Sequence, residues 1–208
     1  MTELKPTVFI VDDDPGVLDS LKFLMRSVGL TAETYQSARD FLQAFDLDRP
    51  GCLILDVRMP EMSGMELQER LKSMESILPI IFITAHGDIP MAVQAVKAGA
   101  VDFIQKPFRD QDLIDKVQAA LQQDAEMRQQ LAERADISER IESLTPRELE
   151  VMELVVEGKP NKAIAHSLGI SQRTVEIHRA RVMEKMQAES VPQLVQMVIA
   201  SGRKATEP

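Results

Sequence analysis

Thr7-Val8-Phe9-Ile10-Val11-Asp12-Asp13-Asp14-Pro15-Gly16-Val17-Leu18 is the stretch on which the fold turns. Thr7 to Val11 is an unbroken run of β-branched and aromatic residues, the pattern of a strand buried on both faces. Asp14 followed by Pro15 then reads as an N-cap with proline at the first helical position. Val17, Leu18, Leu21, Leu24 and Met25 recur on one helical stripe, and Gly29 stops it. A buried strand feeding a helix across an acidic turn is one βα unit.

The same alternation continues downstream. Strands are expected at Ala32 to Tyr35, Cys52 to Asp56, Ile80 to Thr84 and Val101 to Gln105. Helical stretches fill the gaps. One opens on a capping pair, Ser37 to Asp40; others run from Gly64 to Met74 and from Met91 to Ala98, the last ended by Gly99. Five such repeats predict an α/β domain, a flavodoxin-like (βα)5 sheet whose ligand site lies beyond the carboxyl ends of its strands.

With 208 residues, the chain is long for one small core and suits two. From Asp110 to about Leu144 it is polar and free of Gly and Pro, so the fifth helix is expected to run on as a linker. Leu113, Val117, Ala120, Met127 and Leu131 sit at heptad-like spacing there, with Asp124 and Arg134 interrupting the seam. That pattern suits at most a weak, switchable dimer contact. Beyond it, Thr145-Pro146-Arg147-Glu148 and Ser190-Val191-Pro192-Gln193 are helix starts, and between them Asn161 to Leu168 and Ser171 to Met186 flank a turn at Gly169. Two helices across a tight turn, within four short helices, predict an all-α helix-turn-helix domain. The expected boundaries are 1–122 for the α/β domain, 123–142 for the linker and 143–208 for the helical domain.

Composition narrows the function. Hydrophobic residues at 44% and charged residues at 27% are ordinary globular usage, which argues against a disordered or membrane chain. No apolar run reaches the ~18 residues of a membrane span, and Met1 to Thr7 lacks the basic and apolar regions of a signal peptide, so a cytoplasmic address with no membrane partner is expected. A single cysteine, Cys52, builds no internal disulfide and reads as a core residue. The net charge of −9 resides entirely before Glu139: Met1 to Ser138 holds 14 basic against 23 acidic residues, and Glu139 to Pro208 holds 10 of each. A neutral helical domain can bind DNA if its cations cluster on one face.

At the strand ends the chain places Asp12 and Asp13 after the first strand, Asp56 after the third, Thr84 at the end of the fourth and Lys106 after the fifth. Converging carboxylates repel one another unless a cation neutralises them, and oxygen ligands with retained waters suit Mg²⁺. Thr84 and Lys106 are anion binders. Acids paired with anion binders suit a nucleophilic Asp56 that forms an acyl phosphate. Lys106-Pro107 is a candidate cis peptide that would aim the lysine inward. Asp14 is better read as a helix cap than as a ligand, and His86 as a loop residue with no chemical role.

The runs Val11-Asp12-Asp13-Asp14, Leu55-Asp56-Val57-Arg58-Met59-Pro60 with Ser63-Gly64, Phe82 to Asp88, and Lys97 to Phe108 resemble the receiver domain of bacterial two-component response regulators. With the helical domain included, the chain is most similar to the FixJ-type branch of the LuxR/NarL class. This resemblance implies that a sensor histidine kinase phosphorylates Asp56, and that Asp13, Asp56 and the backbone carbonyl of Arg58 ligate Mg²⁺ directly, with Asp12 acting mainly through water. It implies that Thr84 and Phe103 are a switch pair, Thr84 moving toward the phosphoryl group and Phe103 turning inward. It also implies a homodimer on phosphorylation, a two-fold operator in double-stranded DNA, and activation through RNA polymerase. The chain is then a regulator rather than an enzyme, with only self-phosphorylation and slow dephosphorylation chemistry.

The second helix of the helix-turn-helix, Ser171 to Met186, would enter the major groove with its N-terminal half. Val175, Val182 and Met186 would anchor it, and Arg173, Glu176, Ile177, Arg179, Ala180 and Arg181 lie on other faces. By resemblance, Glu176, Ile177 and Ala180 approach bases, while Lys162, Arg173, Thr174, Arg179 and Arg181 are candidates for phosphate. Glu176 and Ala180 stand where NarL-like members have basic residues; they suit cytosine N4 and a thymine methyl, so operator preference should differ. The alternative is that Arg179, Arg181 and Lys185 only solvate the helix and pair with Glu176, Glu184 or Glu189. Two other functions share the pocket. A Mg²⁺-dependent phosphohydrolase is disfavoured because Arg58 stands where its general acid would be, and a receiver that has lost its phosphate response is disfavoured because all five pocket residues are present.

Overall fold

The computed structural model describes residues 5–85, 93 and 95–202. Five strands, β1 (Thr7–Val11), β2 (Thr31–Tyr35), β3 (Gly51–Asp56), β4 (Ile80–Thr84) and β5 (Asp102–Gln105), form one parallel sheet in the order β2-β1-β3-β4-β5. This is the flavodoxin-like order, and its switch point lies between β1 and β3. Alternate residues point to opposite faces and build two cores. Val8, Ile10, Cys52, Ile54, Ile81 and Ile83 pack against Leu18, Leu21 and Met25 of α1 (Pro15–Ser27) and Leu113 and Val117 of α4 (Asp110–Glu142). Phe9, Val11, Leu53, Leu55 and Phe82 pack against Phe41 of α2 (Ala38–Ala44) and Leu67 and Leu71 of α3 (Gly64–Ser73). Of the helix expected from Met91 to Ala98, Val93 and Ala95 to Lys97 are helical; Met91, Ala92 and Gln94 lie outside the described residues, as does His86.

Local chemistry sets the helix starts. Asp14 caps α1 by accepting the Gly16 N–H, with Pro15 in the first turn. Ser63 and Glu66 form a full capping box on α3, and Ser37 caps α2 through the Asp40 N–H. Gly64 is required by contact, since a Cβ there would lie 2.2 Å from the Asp56 carbonyl oxygen. Its absence lets α3 start against the end of β3.

The chain divides into two compact units, Met1–Arg128 and Gln129–Pro208. Within the first, Asp124 is only 2% exposed and accepts the Gly51 N–H at 2.8 Å. Arg128 donates its Nε to Asp124 and its terminal nitrogens to the carbonyls of Leu47, Asp48 and Arg49. The polar residue that breaks the heptad seam is thus a docking residue. Met127 and Leu131, also on that seam, are exposed.

The second unit packs α5 (Pro146–Val156), α6 (Asn161–Leu168), α7 (Gln172–Met186) and α8 (Val191–Ala200) around Val151, Met152, Ile164, Val175, Val182, Met186 and Leu194, with Ile141 of α4 joining the same core. Thr145 and Glu148 form both arms of the expected capping box. Gly169 ends α6 at φ 66, a left-handed conformation that glycine adopts without strain. Among the described residues no helix is long and apolar enough to cross a membrane.

Candidate functional site

Parallel registry brings two of the three predicted acids, Asp12 and Asp56, together. Val11 lies beside Leu55 in the β1–β3 ladder, so the chain leaves β1 at Asp12 alongside the last residue of β3, Asp56. Both carboxylates are buried, at 2% and 7% exposure. Lys106, just past β5, stands between them: its Nζ donates to Asp12 Oδ2 at 2.9 Å and to Asp56 Oδ1 at 3.4 Å. The Lys106 N–H donates to the carbonyl of Thr84 at 2.8 Å, and Thr84 is itself buried at the end of β4. The Lys106–Pro107 bond is cis.

The second oxygens of the two acids have backbone partners. Asp12 Oδ1 accepts the Asp14 N–H at 2.9 Å, and Asp56 Oδ2 accepts the Arg58 N–H at 2.7 Å. Burial raises the Asp56 carboxyl above its ordinary range; the Arg58 N–H opposes this, the Asp12 charge adds to it, and Lys106 opposes it. Asp13 is exposed, as is the Arg58 side chain. The Phe103 ring is half-buried and tilted against Phe82, with centroids 6.4 Å apart. Among the described residues no three acidic, histidine or cysteine side chains stand in chelating geometry.

In the second unit, Arg173, Glu176, Ile177, Ala180 and Arg181 of α7 are exposed, as is Lys162 of α6, and Ile177 leaves 48% of its surface open. Ser171 caps α7 through the Thr174 N–H at 3.1 Å, and its hydroxyl also bonds the Thr174 hydroxyl. Arg179 is half-buried and donates to Asn161 Oδ1 at 2.9 Å. Lys185 binds the buried Glu148 at 2.7 Å and the Ser143 carbonyl at 3.0 Å. The pairing of these cations with Glu176, Glu184 or Glu189, considered from sequence, is therefore replaced for Arg179 and Lys185 by partners on other segments.

Residues 8–118 match the response regulator receiver domain, and residues 142–198 match the bacterial regulatory proteins of the luxR family. The chain is a two-component response regulator. It is 48% identical over 197 residues to the transcriptional regulatory protein FixJ of Rhizobium meliloti, a match spanning 94% of this chain and 96% of that one. It is 46% identical over 197 residues to the response regulator protein TodT of Pseudomonas putida, spanning 95% and 87%. Its structure is similar to that of the response regulator StyR, with a TM-score of 0.86 and 47% identity over 94% of this chain and 98% of that one.

The response regulator thus carries a receiver domain and a LuxR-type DNA-binding domain. In the receiver, Asp12, Asp56 and Lys106 are joined by direct contacts, and Thr84 is tied in through its carbonyl. Sequence reasoning missed Gln68, a buried α3 side chain whose Nε2 donates to the Ala95 carbonyl at 3.1 Å. It also missed Asn161, the partner of Arg179. A polar residue on the apolar stripe of a helix was the available signal for Gln68, one position after Leu67 and three before Leu71.

Proposed function

We propose that this response regulator accepts a phosphoryl group on Asp56 from a sensor histidine kinase, and that the acyl phosphate promotes a homodimer that binds a two-fold operator and activates transcription through RNA polymerase. The observation that carries this reading is the buried Asp12–Lys106–Asp56 bridge at the strand ends. One oxygen of Asp56 attacks phosphorus, forming the P–O bond as the P–N bond to the kinase histidine breaks. The imidazole leaves with the electron pair and takes up a proton. Lys106 would hold an oxygen of the transferred group, and the Thr84 hydroxyl would receive another.

The donor set fits Mg²⁺ in type. Two buried carboxylates share one lysine, so the pocket holds negative charge in excess, and its ligands are hard oxygens. Asp12, Asp13, Asp56 and the Arg58 carbonyl would hold the ion. Bound there, it supplies charge neutralisation between the carboxylate and the incoming phosphoryl group. In the DNA-binding domain, Lys162, Arg173, Thr174, Glu176, Ile177, Ala180 and Arg181 form the face offered to the operator. The protein works in the cytoplasm.

Intact-mass measurement after incubation with acetyl phosphate and Mg²⁺ tests the acceptor. The parent protein is expected to gain about 80 Da, one phosphoryl group, and Asp56→Asn to gain nothing. A gain in both proteins would place the acceptor elsewhere. No gain in the parent would remove small-donor phosphorylation of Asp56.

A further inference from the structure

Two stripes run along α7. Val175, Val182 and Met186 are buried and recur at spacings of seven and four, which puts them on one line facing the core of the DNA-binding domain. Arg173, Glu176, Ile177 and Ala180 are exposed. Arg179 falls on the buried line, four residues after Val175 and three before Val182. At about 100° per residue it lies about 40° around the axis from Val175 and about 120° from Arg173. Its half-burial agrees with that placement, and its Nη1 donates to Asn161 Oδ1 at 2.9 Å.

Asn161 is the first residue of α6, the partner helix of the helix-turn-helix. The N-cap position of α6 is Pro160, which makes no side-chain capping bond, so the start of this eight-residue helix has no side-chain cap of its own. A cation at a helix N-terminus is opposed by the helix dipole, and the contact here is held by the neutral amide oxygen of Asn161. We infer that Arg179 is a positioning residue that braces α7 against the start of α6 through Asn161, and that it carries no DNA phosphate. The brace sets the angle at which the exposed face of α7 is presented. The inference rests on α7 being the helix that meets DNA.

The test uses the full chain with Arg179→Ala, Asn161→Ala and the double variant, and a short mixed-sequence DNA duplex as probe. Each phosphate ligand lost lowers the slope of log K against log salt by about 0.9, so fluorescence anisotropy across a KCl series separates the two roles. A brace gives single variants that bind about three- to tenfold more weakly at unchanged slope, with the double variant no weaker than either single. A slope lowered by about one in Arg179→Ala, or an affinity equal to the parent's, overturns it. Urea unfolding without DNA decides the brace even if the parent fails to bind the duplex, an outcome that would sink only the assignment of α7. The brace predicts that the two single variants and the double share one lowered midpoint. Strictly additive losses overturn it.

Discussion

Asp56 is buried beside a second carboxylate, and burial is the larger reason its carboxyl sits above the ordinary range. A carboxyl with a raised folded-state pKa holds its proton more tightly folded than unfolded. Its ionisation therefore reduces stability as the pH rises through the ordinary carboxyl range to the folded pKa, and has no effect at lower pH where both states are protonated. Asn resembles the protonated acid. Without Mg²⁺, Asp56→Asn is expected to melt a few degrees above the parent at neutral pH, the difference shrinking as the pH approaches about 4. Calorimetry across that range checks the prediction, and a variant less stable at neutral pH would contradict the burial argument. At this scale the sequence was informative where a residue's position follows from its strand: Asp12, Asp56 and Lys106 stand at strand ends and meet there, with Thr84 joined through its carbonyl. The partner of Gln68 and the close approach of Gly64 to the Asp56 carbonyl were not legible, because each depends on how near α3 lies to another segment of the folded chain.

Elements show the same division. The N-caps at Asp14, Ser37, Thr145 and Ser190 were readable because a cap and its helix are neighbours in the chain. What a cap meets from elsewhere was not. Lys185 of α7 reaches the capping Glu148 of α5, and this contact with the Thr145 N–H holds the Glu148 carboxyl down to about 2. A depressed folded pKa stabilises the fold above the unfolded pKa of about 4.5, and that stability fades as the pH falls through the folded value. Lys185→Met should therefore lower the stability of the DNA-binding domain by about 1–2 kcal/mol at neutral pH, discounted from a fully buried pair because Lys185 is 35% exposed. The gap to the parent should close between pH 4.5 and about 2. Urea midpoints at several pH values read it, and a gap independent of pH would argue against an ionic origin.

The same reasoning applies to α4. Heptad spacing marks Asp124 as a flaw in a dimer seam, yet its carboxylate binds the Gly51 N–H and Arg128, because spacing alone does not reveal what a helix packs on. Arg128→Ala would leave Asp124 buried with one donor and release three carbonyls of the loop before β3. The receiver domain is expected to lose about 3 kcal/mol, a value within the range for breaking a buried charge pair. An Arg128→Ala unfolding midpoint within error of the parent's would show the contact to be incidental.

For the whole molecule, charge distribution decides what phosphorylation can achieve. The acidic excess lies wholly before Glu139, and the DNA-binding region is neutral in sum, so long-range attraction to DNA is weak and affinity must come from a few placed cations. Lys162, Arg173 and Arg181 are exposed in one copy of the domain, which sets a salt slope of about −3 for a monomer if each neutralises one phosphate. Two copies on one duplex double that number and turn the second contact into an intramolecular one. Protein treated with acetyl phosphate and Mg²⁺ is thus expected to sediment as a dimer and to bind DNA with a slope near twice that of Asp56→Asn. Sedimentation velocity and anisotropy on the same samples separate the steps. A dimer with an unchanged slope would mean that only one domain of the pair engages DNA. A monomer with an increased slope would mean that phosphorylation exposes cations within a single chain, and dimerisation would then have no part in the switch.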